Sequence, residues 1–192
     1  MSPSFSAVLL AGGKSTRMGR DKALLEINGQ TLWNRQLSIL EELEPREIFI
    51  AGPPRDEWRT HILITDAQSG TGPLGGLVSA LRRSSTSHLL VLAIDLPKMT
   101  GSYLRALLDV CSPDTGVVPR ADRFEPLAAI YPKGSLPVAE DFLQSDDYSL
   151  QKFAARCVAR GLIRLLKIEP HDESLFANLN TPDDLLALNR DE

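Results

Sequence analysis

Residues 10–22 read Leu-Ala-Gly-Gly-Lys-Ser-Thr-Arg-Met-Gly-Arg-Asp-Lys, a run that holds three glycines, two lysines and two arginines. Glycines let backbone N–H groups approach an anion closely, and the cations neutralise what those groups hold. The natural ligand of such a run is a di- or triphosphate, which points to an enzyme acting on a nucleotide. Lys22 and Arg17 are the cations suited to gathering charge on a reacting phosphate; outside a motif, such residues are solvated surface charges. The second chemical position is Asp95, which follows the most continuous apolar run of the chain, His88–Ile94. A carboxylate at the carboxyl end of a buried strand faces the ligand crevice of an α/β sheet. Mg²⁺ takes one or two such carboxylates together with phosphate oxygens and water. The competing reading of Asp95 is a turn or helix-capping residue ahead of Pro97. Asp66, which ends a strand-like run of its own, reads by itself as a turn residue.

Two familiar glycine motifs fail on inspection. Gly13-Lys14-Ser15-Thr16 looks like the end of a P-loop, but the first glycine of that motif would fall on Val8, inside a strand-like run. Gly70-Thr71-Gly72-Pro73-Leu74-Gly75 satisfies G-x-G-x-x-G, yet a dinucleotide fingerprint opens the first β-α unit and follows its strand directly. This one comes late and is separated from Thr65 by Asp66–Ser69. Glycines this dense beside a phosphate-adapted loop still point to close backbone approach to a ligand. His61, His88 and His171 are scattered without a motif, which argues against a histidine base or metal site. Phe124–Leu127, flanked by Arg120 and Arg123, reads equally as the lining of an acceptor pocket or as a solvated loop.

The elements that must position these residues alternate between strand-like and helix-like patterns, the signature of an α/β fold with a mostly parallel sheet. Phe5–Leu10 predicts a buried first strand, Ala23–Ile27 is short and apolar, and Asn28-Gly29 is a strong turn signal. Thr31 then caps a helix through Leu43 whose stripe is Trp33, Leu37 and Leu40, and Pro45 ends it. Strands are expected at Glu47–Ala51 and Ile62–Thr65, and the glycine-rich loop Gly70–Gly76 leads into a helix over Leu77–Arg83. His88–Ile94 predicts a central strand buried on both faces. The rest reads as helix Gly101–Val110, strands Gly116–Pro119 and Leu127–Tyr131, helices Ser135–Leu143 and Ser149–Ala159, strand Ile163–Ile168, and a last helix after Pro182.

Composition bounds the partners. A net charge of -4 leaves no basic excess to displace counterions from nucleic acid. No apolar run approaches a membrane span or a signal peptide, so a cytoplasmic protein is expected. The two cysteines, Cys111 and Cys157, show neither metal nor redox spacing and read as reduced core thiols. The length suits one domain over residues 1–192.

Leu10-Ala11-Gly12-Gly13-x-Ser15-x-Arg17-Met18-Gly19-x-Asp21-Lys22 resembles the signature of the nucleotidyltransferases that activate sugar phosphates, isoprenoid precursors and molybdopterin. Within that superfamily the chain is most similar to the molybdenum cofactor guanylyltransferases. Gly72–Leu77, Ile94-Asp95-Leu96-Pro97 and Phe176–Leu185 carry the closer resemblance, in the family's order and over nearly the whole chain. It implies a three-layer α/β/α nucleotidyltransferase that takes GTP and molybdopterin and uses Mg²⁺ on Asp95, with the nucleotide on the N-terminal half and the acceptor on the C-terminal half. The nucleotide would then meet Leu10, Ala11, Gly12, Gly13, Lys22, Asp66, Gly72, Pro73, Leu74 and Asp95. Arg17, Lys22 and Asp95 would be catalytic, with Asn178 and Asn180 on the acceptor. Molybdoenzymes or cofactor-delivery proteins are the implied protein partners. Ala11-Gly12-Gly13 stands where the cytidylyl members carry Ala-Ala-Gly, and a missing Cβ gives a purine room. Ala51-Gly52-Pro53 departs from the family, which often places a nucleotide-contacting Asn there. Other readings are a cytidylyl- or sugar-phosphate nucleotidyltransferase on the same scaffold, or a non-catalytic GTP-binding module that delivers cofactor. Thr181-Pro182-Asp183-Asp184 is in addition a good helix start in its own right.

Overall fold

A computed structural model describes residues 3–12, 21–65 and 70–188. Its frame is a seven-stranded sheet in the order β5-β4-β1-β6-β8-β7-β9. The strands are β1 (Phe5–Leu10), β4 (Ile48–Ala51), β5 (Ile62–Ile64), β6 (His88–Ala93), β7 (Gly116–Arg120), β8 (Ala128–Pro132) and β9 (Ile163–Lys167). β1 pairs in parallel with β4 and β6, β4 with β5, and β7 with β9. Only β8 runs against its neighbours β6 and β7. β6 lies fourth of the seven and is buried at every residue, as a central strand covered on both faces must be.

Side chains of period two divide the core into two layers. On one face Ala7, Leu9, Leu90, Leu92 and Ile50 pack with α1 (Leu32–Glu41) and α3 (Gly101–Val110). On the other, Val8, Leu10, Leu89, Val91 and Phe49 pack with α2 (Gly72–Arg83), α4 (Leu136–Gln144) and α5 (Leu150–Ala159). The short helix α6 (Pro182–Leu188) rests Leu185 and Leu188 on the first layer. The expected three-layer α/β architecture is therefore present.

Three local features refine, correct or add to the sequence reading. The stretch after the first glycine run is a single tight turn over Lys22–Leu24, followed by a ribbon of β2 (Glu26–Ile27) and β3 (Gln30–Thr31). Asn28 and Gly29 turn it with φ of 52° and 76°, the left-handed pair that a two-residue hairpin demands. Second, Gly72–Gly76 is not a loop but the first turns of α2. Gly75 and Gly76 inside the helix cost about 1 kcal/mol each against alanine. Leu74, Leu77, Val78 and Leu81 form one fully buried stripe through them, and each such burial returns about 1.5–3 kcal/mol. Packing outweighs propensity, and Pro73 in the first turn presets the backbone. Third, Pro170–Phe176 folds as a run of tight helical turns that no sequence period announces.

The sheet edge opposite the strand ends that carry the glycines is tied by a polar network. Ser6 donates to Glu47 Oε2 at 2.7 Å, the Ser85 N–H donates to the same oxygen at 3.0 Å, and Ser84 donates to Ser6 at 3.0 Å. Thr86 lies 2.9 Å from the Ser6 hydroxyl and donates to the His88 carbonyl at 2.8 Å. The Lys133 ammonium closes the same end by donating to the Leu81, Arg82 and Ser84 carbonyls at the last turn of α2.

The Ser85 N–H, then the Ser6 hydroxyl, hold the Glu47 carboxyl below its ordinary value of 4.5. A depressed carboxyl stabilises the fold above its unfolded value, and that contribution disappears as pH falls through the folded value. Glu47→Gln is therefore expected to lower the melting temperature at neutral pH by roughly 2–4 °C. The gap from wild type should close on acidification below about pH 4, as thermal melts across that range would show.

Candidate active site

The sheet reverses direction of growth between β1 and β6: the chain builds outward through β4 and β5, then returns to the other side of β1. Crevices outside the carboxyl ends of strands form at such a switch point. There a cleft of about 180 Å³ is lined by Leu10, Ala11, Gly12, Asp21, Lys22, Pro73, Ala93, Ile94, Asp95 and Leu127. Its floor is rigid. Ala11 N donates to the Ala51 carbonyl at 2.8 Å, Ile94 N to the Leu10 carbonyl at 3.0 Å, and Ala93 N to the Leu127 carbonyl at 2.8 Å.

Lys22 crosses this cleft. Its ammonium lies 3.4 Å from Asp95 Oδ2 and donates to Asn180 Oδ1 at 3.0 Å. The turn beneath it is capped by Asp21, whose Oδ1 accepts from the Ala23 N–H at 3.1 Å. Asp95 is held through the backbone around it. Leu179 N donates to the Asp95 carbonyl at 2.9 Å, and from α1 Gln36 Nε2 donates to the Leu96 carbonyl at 2.6 Å and Arg35 Nε to the Pro97 carbonyl at 3.0 Å. The side chains of Lys22 and Asp95 are 19% and 26% exposed, so both remain open to a ligand.

The C-terminal segment is shaped by a reciprocal cap. Asp184 Oδ2 accepts from the N–H groups of Asn180 and Thr181, each at 2.8 Å, and the Asp184 N–H donates to the Thr181 hydroxyl at 3.2 Å. The Asn180 and Thr181 N–H groups hold the Asp184 carboxyl low, with the charge of Lys22 adding to the effect. Leu179 is fully buried between the exposed Asn178 and Asn180 and anchors the segment to the sheet.

α2 directs its first turn at the cleft through Pro73, and the dipole at the start of a helix favours an anion there. Gly12 and Gly52 face one another across the strand ends, with different tolerances. Among the described residues, a Cβ on Gly12 would meet the Gly52 Cα at 3.8 Å and the Ala51 carbonyl at 3.9 Å. A Cβ on Gly52 would press to 3.0 Å from the Ala11 carbonyl carbon and 3.2 Å from Gly12 N.

The far wall is the loop before β8. Gln151 on α5 grips Phe124 from both sides: its Oε1 accepts from Phe124 N at 3.2 Å, and its Nε2 donates to the Phe124 carbonyl at 2.8 Å. Arg120 lies over the Phe124 ring at 5.0 Å. Burial pushes the Glu125 carboxyl up, against the charge of Arg123. Tyr103, stacked edge-on with Phe176 at 5.4 Å, has its phenol pushed up to about 12 by burial, then by Asp172 and Glu125.

Leu10, Ala11, Gly12, Lys22, Pro73 and Asp95 line one cleft, and Asn180 reaches it through Lys22. Leu74 is fully buried in the core, which leaves its backbone rather than its side chain for a ligand. Gly72 opens α2 at φ 60°, and Asn178 stays on the surface. Gly13, Arg17 and Asp66 lie outside the described residues. Asp21, Arg35 and Gln36 are the residues that sequence reading missed. Gln36 carried a signal, since a polar residue at i+4 from Leu32 and i−4 from Leu40 interrupts a buried stripe. Cys111 and Cys157 are free thiols, each pushed up to about 12 by burial. Among the described residues no helix is long and apolar enough to cross a membrane. A larger groove of about 600 Å³ lies between α4 and α5, away from these residues. It is lined by Asp141, Phe142, Lys152 and Arg156 among others, and Lys152 is ion-paired there with Asp147 at 2.8 Å.

The sheet and the switch-point cleft give the frame, and similarity to known proteins makes the class a nucleotidyltransferase. A family model described as the MobA-like NTP transferase domain matches residues 7–161. The chain is 38% identical over 187 residues to the probable molybdenum cofactor guanylyltransferase of Opitutus terrae, covering 94% of this chain and 93% of that one. It is 32% identical over 187 residues to the molybdenum cofactor guanylyltransferase of Syntrophotalea carbinolica, at 93% and 88% coverage. Molybdopterin-guanine dinucleotide biosynthesis protein A from Archaeoglobus fulgidus shares the fold, with a TM-score of 0.75 at 23% identity over 96% of this chain and 97% of that one. The chain belongs to the MobA-like NTP transferase family and, within it, to the molybdenum cofactor guanylyltransferases.

The two facing glycines make separable predictions. Gly52→Ala is expected to push apart the ends of β1 and β4 and to cost about 1–3 kcal/mol of stability. Gly12→Ala should fold with wild-type stability and place its methyl in contact with the strand ends. Urea unfolding of both variants checks the contrast.

Proposed function

We propose that the protein transfers the GMP moiety of GTP to molybdopterin and releases pyrophosphate, giving the guanine dinucleotide form of the cofactor. An oxygen of the acceptor's terminal phosphate attacks the α-phosphorus in line and forms the new P–O bond. The bond from the α-phosphorus to the bridging oxygen breaks, and pyrophosphate leaves with that electron pair. No covalent enzyme nucleophile is needed; the work is to position two anions and to neutralise charge as it develops.

The observation that carries this reading is the convergence of Lys22 on Asp95 and Asn180, at 3.4 and 3.0 Å. It puts a cation, a carboxylate and an amide at one point where the N-terminal and C-terminal halves meet. In this reading residues 1–192 work as one domain. The triphosphate lies along residues 10–13 and the first turn of α2, formed by Gly72, Pro73 and the Leu74 backbone. Lys22 leaves Asp95 to follow the phosphates, Arg17 bridges towards the acceptor phosphate, and Asp66 contacts the nucleotide. Asn180, with Asn178 beside it, then orients the acceptor. Gly12 supports guanine, because the protein would accept a methyl there and its absence keeps space for a purine ring.

Among the described residues no group of three or more His, Cys, Asp or Glu could hold a metal alone. One half-buried carboxylate suits Mg²⁺ brought in on the nucleotide, since that ion keeps phosphate and water ligands and needs few from the protein. Asp95 would hold it, and its chemistry would be to neutralise the triphosphate and polarise the α-phosphate. The setting would be the cytoplasm, with molybdoenzymes or a cofactor-delivery protein receiving the product.

Pyrophosphate release scored for GTP, CTP, ATP and UTP, with and without molybdopterin and Mg²⁺, tests this reading. Turnover is expected with GTP only when acceptor and Mg²⁺ are both present. Lys22→Ala and Asp95→Ala should each lower kcat by about 100-fold or more. A preference for CTP, GTP binding without pyrophosphate release, or indifference to both substitutions would refute it.

A further inference from the structure

We infer that Arg55 is a positioning residue for nucleotidyl transfer: from the loop after β4 it clamps Asp21 and so sets the place of Lys22. The inference rests on the reading of Lys22 as the cation that serves the triphosphate. Asp21 uses its two carboxylate oxygens for different tasks. Oδ1 caps the turn by accepting from the Ala23 N–H, and Oδ2 is ion-paired with the Arg55 guanidinium. The same turn is closed by Leu24 N donating to the Asp21 carbonyl and Leu25 N to the Lys22 carbonyl, each at 3.2 Å. A displacement of the Asp21 carboxylate is therefore passed directly to the Lys22 backbone, one residue on.

Arg55 is built for this task rather than placed on the surface by chance. Its side chain is 16% exposed, whereas the exposed pair of Arg59 with Asp56 shows 77% and 85%. Pairs of the exposed kind contribute little. The guanidinium lies over the Trp58 ring at 4.9 Å, and Trp58 is itself fully buried, with Trp33 edge-on against it at 6.4 Å. The approach is stiffened by Pro53 and Pro54, whose rings fix φ on the way from Gly52 to Arg55. The Asp21 carboxylate and the Trp58 indole hold the fork from two sides. The result is a strut between the loops that follow β4 and β1. It acts on the cleft through Lys22 without Arg55 lining the cleft itself.

The test uses purified full-length protein with Arg55→Ala, Arg55→Lys, Asp21→Asn, Lys22→Ala and the double variant Lys22→Ala/Arg55→Ala. Isothermal titration with Mg·GTP gives Kd without any acceptor, and pyrophosphate release with molybdopterin gives kcat and KM. Arg55→Ala is expected to weaken GTP binding or lower kcat by about 10- to 100-fold. Asp21→Asn, which keeps the cap but loses the charge, should do the same, and Arg55→Lys should recover part of the loss. In the Lys22→Ala background, removing Arg55 should change neither Kd nor kcat further. A general structural role would instead lower both by the same factor whether or not Lys22 is present, and that result overturns the inference, as does wild-type behaviour of Arg55→Ala. If Arg55→Ala does not fold, Asp21→Asn against Asp21→Asn/Lys22→Ala decides by the same criterion. Wild type that binds GTP but releases no pyrophosphate defeats the proposed reaction; the Kd comparison still judges Arg55.

Discussion

A lysine ammonium reaching across an open cleft must find compensation for its charge, and Lys22 finds it in residues 73 and 158 positions away in the chain. Each partner arrives by a different structural route. Asp95 is presented by the end of the most buried strand, and its flanking carbonyls are gripped by Gln36 and Arg35 from the helix that follows Lys22 itself. Asn180 is presented by a segment pinned through Leu179 to the Asp95 carbonyl and shaped by the Thr181–Asp184 cap. In water such a contact would be worth little, but here it falls where both halves of the sheet must meet. A phosphate entering the cleft replaces one set of compensating charges by another, so the free site is preorganised without a buried charge left unanswered.

The rest of the cleft follows from how closely two strand ends can approach. β1 and β4 run side by side to their last residues, and Gly52 lets the loop after β4 turn against Ala11 where a Cβ would be pressed to 3.0 Å. That closeness fixes the height of residues 11 and 12 relative to Asp95 on the other side of β1. It also directs the chain through Pro53 and Pro54 towards Asp21. The loop after β4 contributes backbone proximity and a cation held on a carboxylate, not a direct amide contact from Ala51 or Gly52.

Much of this was legible in the sequence because the governing forces are local or periodic. The apolar runs of β1 and β6, the Asn28-Gly29 turn and the helix Gly101–Val110 all come from patterns a few residues long. The start of α2 was misread because glycine density suggests a loop, while the decisive term, burial of Leu74 with Leu77 and Leu81, is tertiary. Lys22 and Asp95 were legible as chemistry, and Asn180 through resemblance. What no local pattern could reveal is pairing at a distance: Gln36 with Leu96, Leu179 with Asp95, and Arg55 with Asp21. Each is a polar group, side-chain or backbone, answering a group on another segment, and such partners become visible only once the sheet order is known.

The most direct single measurement is a crystal structure of the protein with Mg²⁺ and a GTP analogue whose α,β-bridging oxygen is replaced by methylene. The triphosphate is predicted to lie between Ala11-Gly12, the first turn of α2 and a Lys22 ammonium that has turned from Asp95 to the phosphates, with the α-phosphorus open towards Asn180. A triphosphate bound elsewhere, such as the groove between α4 and α5, with Lys22 still on Asp95 and Asn180, would contradict it.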